Sequence, residues 1–289
     1  MLELLPQQLI NGLALGSTYA LVALGLTLIF GVLLIPNFAH GELYMLGAFI
    51  TYVLVAAGLN FWLAMLIAIG LVVGLGGVID RLVFRPIDTS STLSLMIAAL
   101  ATSMVLQQLA TLIWGTEPRT IPAPLTGVLR FTHFAVTQLQ LVVMGSVVAA
   151  FAVLWLVLHR SRLGLAIRAT AQNRDAAKLM GIPMAQVRWT TFAMSAAMGA
   201  LAGALLGATF PIYPTMGINP VLKAFVVLVL GGIGSLWGAI SGGLVLGIAE
   251  VLVAGYISSE LQDIGTFAIL VLVLLLRPQG LFGRAQIER

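Results

Sequence analysis

A single acid interrupts one of the most apolar stretches of the chain: Glu250, within Gly247-Ile248-Ala249-Glu250-Val251-Leu252. An unpaired carboxylate at the centre of a membrane helix costs about 2.5–3.5 kcal/mol on insertion scales, so it must face a partner or water. Such a residue either borders a transport pathway or closes a buried hydrogen bond. A second polar set lies in Pro36-Asn37-Phe38-Ala39-His40-Gly41-Glu42, a tight turn between two apolar runs. Asn37, His40 and Glu42 can bond the free groups of helix ends there, and His40 with Glu42 could relay protons. The third set lies in the strongly charged segment 160–188, which contains Arg174, Asp175, Ala176, Ala177, Lys178 and, three residues on, Gly181. Two alanines and a glycine among charges make a low-relief surface that can seat in a groove of a soluble partner. Headgroup contact alone would explain the basic residues, but it does not require this arrangement.

Other chemistries find no residues to carry them. Cysteine is absent, which excludes disulfides and thiolate metal sites. His40, His133 and His159 are far apart in sequence, so no metal site is expected. The two lysines, Lys178 and Lys223, are followed by Leu179 and Ala224, so no phosphate-binding loop of the Walker type occurs and no nucleotide cofactor is expected on this chain. Nothing resembles a Ser-His-Asp triad or a His-Glu-x-x-His site. Gln107 and Gln108 read as interhelical hydrogen-bonding groups, and Lys223 as a side chain that snorkels to the headgroups.

The elements that must position these residues are membrane helices. The chain has 289 residues, 60% hydrophobic and only 8% charged, where a soluble domain carries about 25% charged residues. The expected class is therefore all-α: a polytopic integral membrane protein forming one domain over 1–289. Nothing in it suggests nucleic-acid binding. A bilayer core of about 30 Å takes roughly 20 apolar residues as a helix. Candidate spans are 9–34, 42–57, 61–83, 93–113, 139–158, 189–208, 221–230, 237–256 and 264–276. The segment 221–230 is too short to cross alone, so eight or nine spans are expected. The first run lacks a basic n-region and should stay in the mature protein.

Charge placement sets orientation. With the N-terminus outside and nine alternating segments, Arg81, Arg85, Arg160, Arg162, Arg168, Arg174, Lys178, Arg188, Arg277, Arg284 and Arg289 fall inside. Arg119, Arg130 and Lys223 fall outside. The segment 160–188 is then a cytoplasmic loop, with a short helix expected over 165–180 and stopped by Gly181 and Pro183. The outer loop, 115–138, reads as an ordered, irregular connection.

Glycines four apart allow close helix approach. Gly12/Gly16, Gly70/Gly74, Gly199/Gly203/Gly207 and Gly234/Gly238/Gly242 show that spacing and read as packing faces. Gly231, Gly232 and Gly234 crowd one short stretch and predict a helix break. It marks either a tight inner turn or irregular backbone beside a transport site.

Asp175-Ala176-Ala177-Lys178-Leu179-Met180-Gly181 resembles the Glu-Ala-Ala-x-x-x-Gly motif of permeases of ATP-binding-cassette importers, with Asp in place of Glu. Asn11-Gly12-Leu13-Ala14-Leu15-Gly16-Ser17-Thr18-Tyr19-Ala20-Leu21 and the Asn37 to Glu42 turn are similar to the branched-chain amino-acid permease subunits, H-type. Asp80-Arg81-Leu82-Val83-Phe84-Arg85-Pro86 and Leu230-Gly231-Gly232-Ile233-Gly234-Ser235 share that likeness, which runs over 9–282. The resemblance implies a multi-pass protein of the inner membrane and a second, related permease subunit. It further implies two cytoplasmic ATPase subunits that hold the ATP and Mg, and an external solute-binding protein that delivers Leu, Ile or Val. The inner loop would be the coupling helix, docked on an ATPase. Alternatives left open are a permease of the same class for urea or short amides, an ion-coupled carrier using Glu250 or the His40/Glu42 pair, and a facilitative channel.

Overall fold

The computed structural model describes residues 4–87, 91–131, 134–277 and 279–282; His133, Arg284 and Arg289 lie outside these. Seven of its helices are long and apolar enough to cross a membrane, and two shorter apolar ones, α2 (His40–Ala56) and α10 (Ile218–Gly231), join them. All nine expected segments are therefore helical.

The chain opens with α1 (Leu5–Leu33), which has Pro6 in its first turn, where a missing N–H costs nothing. At 29 residues it is about 44 Å long at 1.5 Å per residue. It ends at Leu34, whose φ of 55° makes it the one non-glycine residue with positive φ among those described. Pro36 then bars continuation of the helix. α2 starts at His40, level with the middle of α1. α3 (Phe61–Ile79) continues through a π-helical turn (Asp80–Phe84) into α4 (Arg85–Ile87). α5 (Thr92–Trp114) returns to the opposite end of the bundle. Two short antiparallel strands follow, β1 (Val128–Arg130) and β2 (Ala135–Thr137). α6 (Gln138–Arg160) leads to α7 (Arg162–Gln172) and α8 (Arg174–Leu179). α9 (Met184–Gly207), α10, α11 (Leu236–Tyr256) and α12 (Gln262–Leu276) complete the bundle.

α1 and α9 form the centre, and their neighbours close on them through glycine. A Cβ at Gly16 would stand 2.7 Å from the Gly243 carbonyl oxygen of α11. One at Gly203 of α9 would overlap the Tyr44 carbonyl of α2. Such backbone contact is what small residues four apart permit. Gly70 and Gly74 depart from this expectation. A Cβ added at either would meet no neighbouring element within 4 Å, and both face outward on α3. α3, α5 and α12 are mostly exposed along their length, as helices on the lipid side must be.

The outer loop is more regular than expected. Arg119 and Ile212 exchange backbone hydrogen bonds of 2.9 and 2.7 Å. Gln7 of α1 reaches the Ala135 backbone through bonds of 2.7 and 3.1 Å. The inner loop differs in the other direction, because the single helix expected over 165–180 is two. Asn173 sits in extended backbone, φ −156° and ψ 106°, and its side chain accepts from the Ala176 N–H at 2.9 Å. Asn is a strong N-cap residue, and here it starts a new helix. The glycine break is present: α10 ends at Gly231, and Gly232 and Gly234 take φ of 96° and 80°.

Candidate functional site

The segment 160–188, expected on the inner face, forms a protrusion built by local sequence. Ser161 caps α7 by accepting from the Gly164 N–H at 2.9 Å. Gly164 itself lies against the carbonyls of Val157 and Leu158, with no room for a Cβ. Ile167 and Thr170 bury the inner side of α7. α8 then projects Asp175, Ala176 and Lys178 outward, with Lys178 3.6 Å from Asp175. Ala177 does not join that surface, because it is buried at 4% exposure and packs inward. Leu179 and Met180, at 89% and 83% exposure, stand out in its place. Gly181, φ 78°, turns the chain back toward α9. The outward face is thus more apolar than the two-alanine reading implied.

The loop leads straight into a buried ion pair. Arg188, in the second turn of α9, donates through Nε to Asp80 Oδ1 at 2.6 Å, and both side chains are largely buried. Its guanidinium lies over Phe192, 5.9 Å from the ring centre. Asp80 begins the π-helical turn of α3. π-turns frequently occur at functional positions, and this one is tied to the helix that follows the inner protrusion.

The structure separates His40 from Glu42. His40 Nε2 lies 3.2 Å from the Val22 carbonyl of α1, and Nδ1 lies 3.2 Å from Ser195 Oγ of α9. Glu42 faces α5 instead, accepting at Oε1 from Ser103 Oγ and Gln107 Nε2, each at 2.8 Å. Positions two apart on a helix point to different sides, so the proton relay does not form. Both residues are almost fully buried. Gln107 is interhelical as expected, whereas Gln108 is exposed. The Asn37 side chain is buried, and its Oδ1 makes no hydrogen bond among the described residues.

Glu250 has a partner that lies 27 positions away in sequence. Lys223 of α10 donates to Glu250 Oε1, and Gln262 of α12 donates to the same oxygen at 2.5 Å. Lys223 also stands 3.1 Å from Asp263 Oδ1 and 3.3 Å from Tyr19 Oη. Its side chain is 14% exposed. The snorkelling expectation is therefore overturned: the ammonium turns inward, where two carboxylates compensate its desolvation. This cluster ties α1, α10, α11 and α12 together.

A family model described as the branched-chain amino acid transport system / permease component matches residues 8–274. The chain belongs to this family. It is 39% identical to the high-affinity branched-chain amino acid transport system permease protein LivH of Escherichia coli, over 98% of this chain and 97% of that one. It is 36% identical to the corresponding permease protein BraD of Pseudomonas aeruginosa, again over 98% and 97%. A probable LivH of Methanocaldococcus jannaschii is 29% identical over 91% of this chain and 88% of its own. The likeness extends through the ion-pair helices and the inner protrusion alike. This chain is a multi-pass permease of the inner membrane.

Proposed function

We propose that this permease moves branched-chain amino acids inward as part of an ATP-binding-cassette importer. Two cytoplasmic ATPase subunits bind and hydrolyse ATP with Mg, a second related permease completes the channel, and an external solute-binding protein delivers the substrate. The observation that carries the reading is the protrusion of α8, which presents exposed Leu179 and Met180 beside Asp175 and Lys178. A membrane protein gains nothing by leaving such residues in water unless a partner covers them. An ATPase groove that closes on nucleotide would push α8, and the Gly181–Pro183 return, tied back to α8 by the Gly181 and Ile182 N–H groups, would pass the motion to α9. Through Arg188–Asp80 it would reach α3. That is a shift of packed elements between two arrangements.

The cargo reading follows the relatives' names, and urea or short amides remain the contrasting cargo. The ion-coupled reading loses its relay, because His40 and Glu42 face different helices. The test is copurification of the chain with its ATPase from detergent. Leu179→Asp together with Met180→Asp should abolish it and end ATP-driven leucine uptake. If the double variant still copurifies and transports, α8 is not the docking element.

A further inference from the structure

A narrow crevice opens at the break between α1 and α2. Leu26 and Phe30 of α1, Asn37 and Phe38 of the connection, and Val221 and Phe225 of α10 form its walls. Phe225 stands at its centre, with ring centres 6.2 Å from Phe30 and 5.9 Å from Phe38. The three rings are half-buried. Asn37 is 2% exposed, and its Oδ1 is buried without a hydrogen bond. A buried polar atom left this way costs about 1–3 kcal/mol, and natural proteins keep few of them without a reason.

The position suits a small zwitterion. Asn37 Oδ1 can only accept, so its partner is an N–H or O–H donor, and an ammonium group is one such donor. The N-terminus of α2, which has no side-chain cap, lies two residues further on. Its His40, Gly41 and Glu42 N–H groups already bond the Asn37, Phe38 and Ala39 carbonyls, so it offers a nearby anion its dipole rather than a free donor. α10 also begins here: Gly217 touches the Gly41 backbone too closely for a Cβ on either. Two short helices starting within the bundle, at facing ends, give the kind of site at which a carrier holds a polar group at membrane depth. The ring walls offer apolar faces to a side chain and a favourable surface to a cation. As it stands the crevice is too narrow for a water molecule, so a ligand enters only when Phe38 and Phe225 part.

We infer that this crevice is a transit site for an α-amino acid with an apolar side chain: Asn37 Oδ1 accepts from its ammonium group, and Phe30, Phe38 and Phe225 seat its aliphatic chain. The inference rests on the reading of this chain as an amino-acid permease. The experiment uses the complete complex in proteoliposomes with a diazirine analogue of leucine, illuminated during ATP-driven uptake. Label is expected within residues 26–38 and 221–225, removed by excess leucine and lowered at least fivefold by Asn37→Ala. Phe225→Leu, a mild change chosen to preserve assembly, should shift the ratio of leucine to valine uptake threefold or more. Label confined to other segments overturns the inference, as does label here that leucine does not displace, which marks a lipid-chain groove. So does an unchanged ratio in a Phe225→Leu complex that assembles. If the unmodified complex fails to take up any branched-chain amino acid with ATP, the permease reading itself fails, and this one falls with it.

Discussion

Removing Lys223 should damage the fold more than neutralising its partner Glu250. The Glu250 side chain is wholly buried, and its Oε2 already lacks a hydrogen bond. In Lys223→Met the carboxylate loses its ammonium and keeps neutral donors alone, the Gln262 amide at 2.5 Å and the Tyr19 hydroxyl. Breaking a buried ion pair from one side costs about 3–5 kcal/mol, because a charge is left without compensation. Glu250→Gln is gentler. Lys223 still has Asp263 at 3.1 Å and Tyr19 at 3.3 Å, and Asp263 is 71% exposed, so its charge is hydrated. The loss there is roughly 1–2 kcal/mol, that of an imperfectly paired polar group. The double variant Lys223→Met, Glu250→Gln has no buried charge and should recover about 2 kcal/mol relative to Lys223→Met. Unfolding titrated with SDS in mixed micelles reads all three values. Equal damage from the two single changes, or a double change equal to their sum, would refute the pairing argument.

Three further outcomes follow from the geometry. Gly203→Val places a side chain into the Tyr44 carbonyl and should lower the yield of folded protein sharply, while Gly70→Val, with open space around it, should leave the melting temperature of the isolated chain unchanged. Ser103→Ala removes one of the two donors to Glu42 Oε1 and should cost about 1–2 kcal/mol in the same SDS titration, with Ser103→Thr largely retaining the bond. Asp80→Leu removes the carboxylate that Arg188 Nε meets at 2.6 Å and should destabilise the fold, read as earlier cleavage by an added protease.

What the residues revealed in advance depended on how local the signal was. The apolar helices were legible, as eight or nine segments, because each is a contiguous run in the sequence, and the arginines supplied an expected orientation. The break in the loop was local too: Asn173 followed by Arg174 and Asp175 is a cap with an acid in the next turn, a sign masked by the helical pattern on either side. The Lys223–Glu250 pair had no such sign. It forms only when α10 and α11 turn against each other at Gly231–Gly238, so Lys223 looked like a boundary residue. Spacing also failed to separate the glycine series. Gly70/Gly74 and Gly12/Gly16 have the same period, and only the neighbouring helices decide which is used. His40 and Glu42 looked like a pair in the linear text, yet the helix sends them to different neighbours.

The most extensive helix contact in the bundle joins α1 to α11, the first helix made and nearly the last. Through most of translation, then, α1 waits in the bilayer with Gly12 and Gly16 bare to lipid. The core cannot seal until α11, Leu236–Tyr256, has docked on α1. A chain that stops before Ser235 lacks α11 and leaves that seam of α1 uncovered.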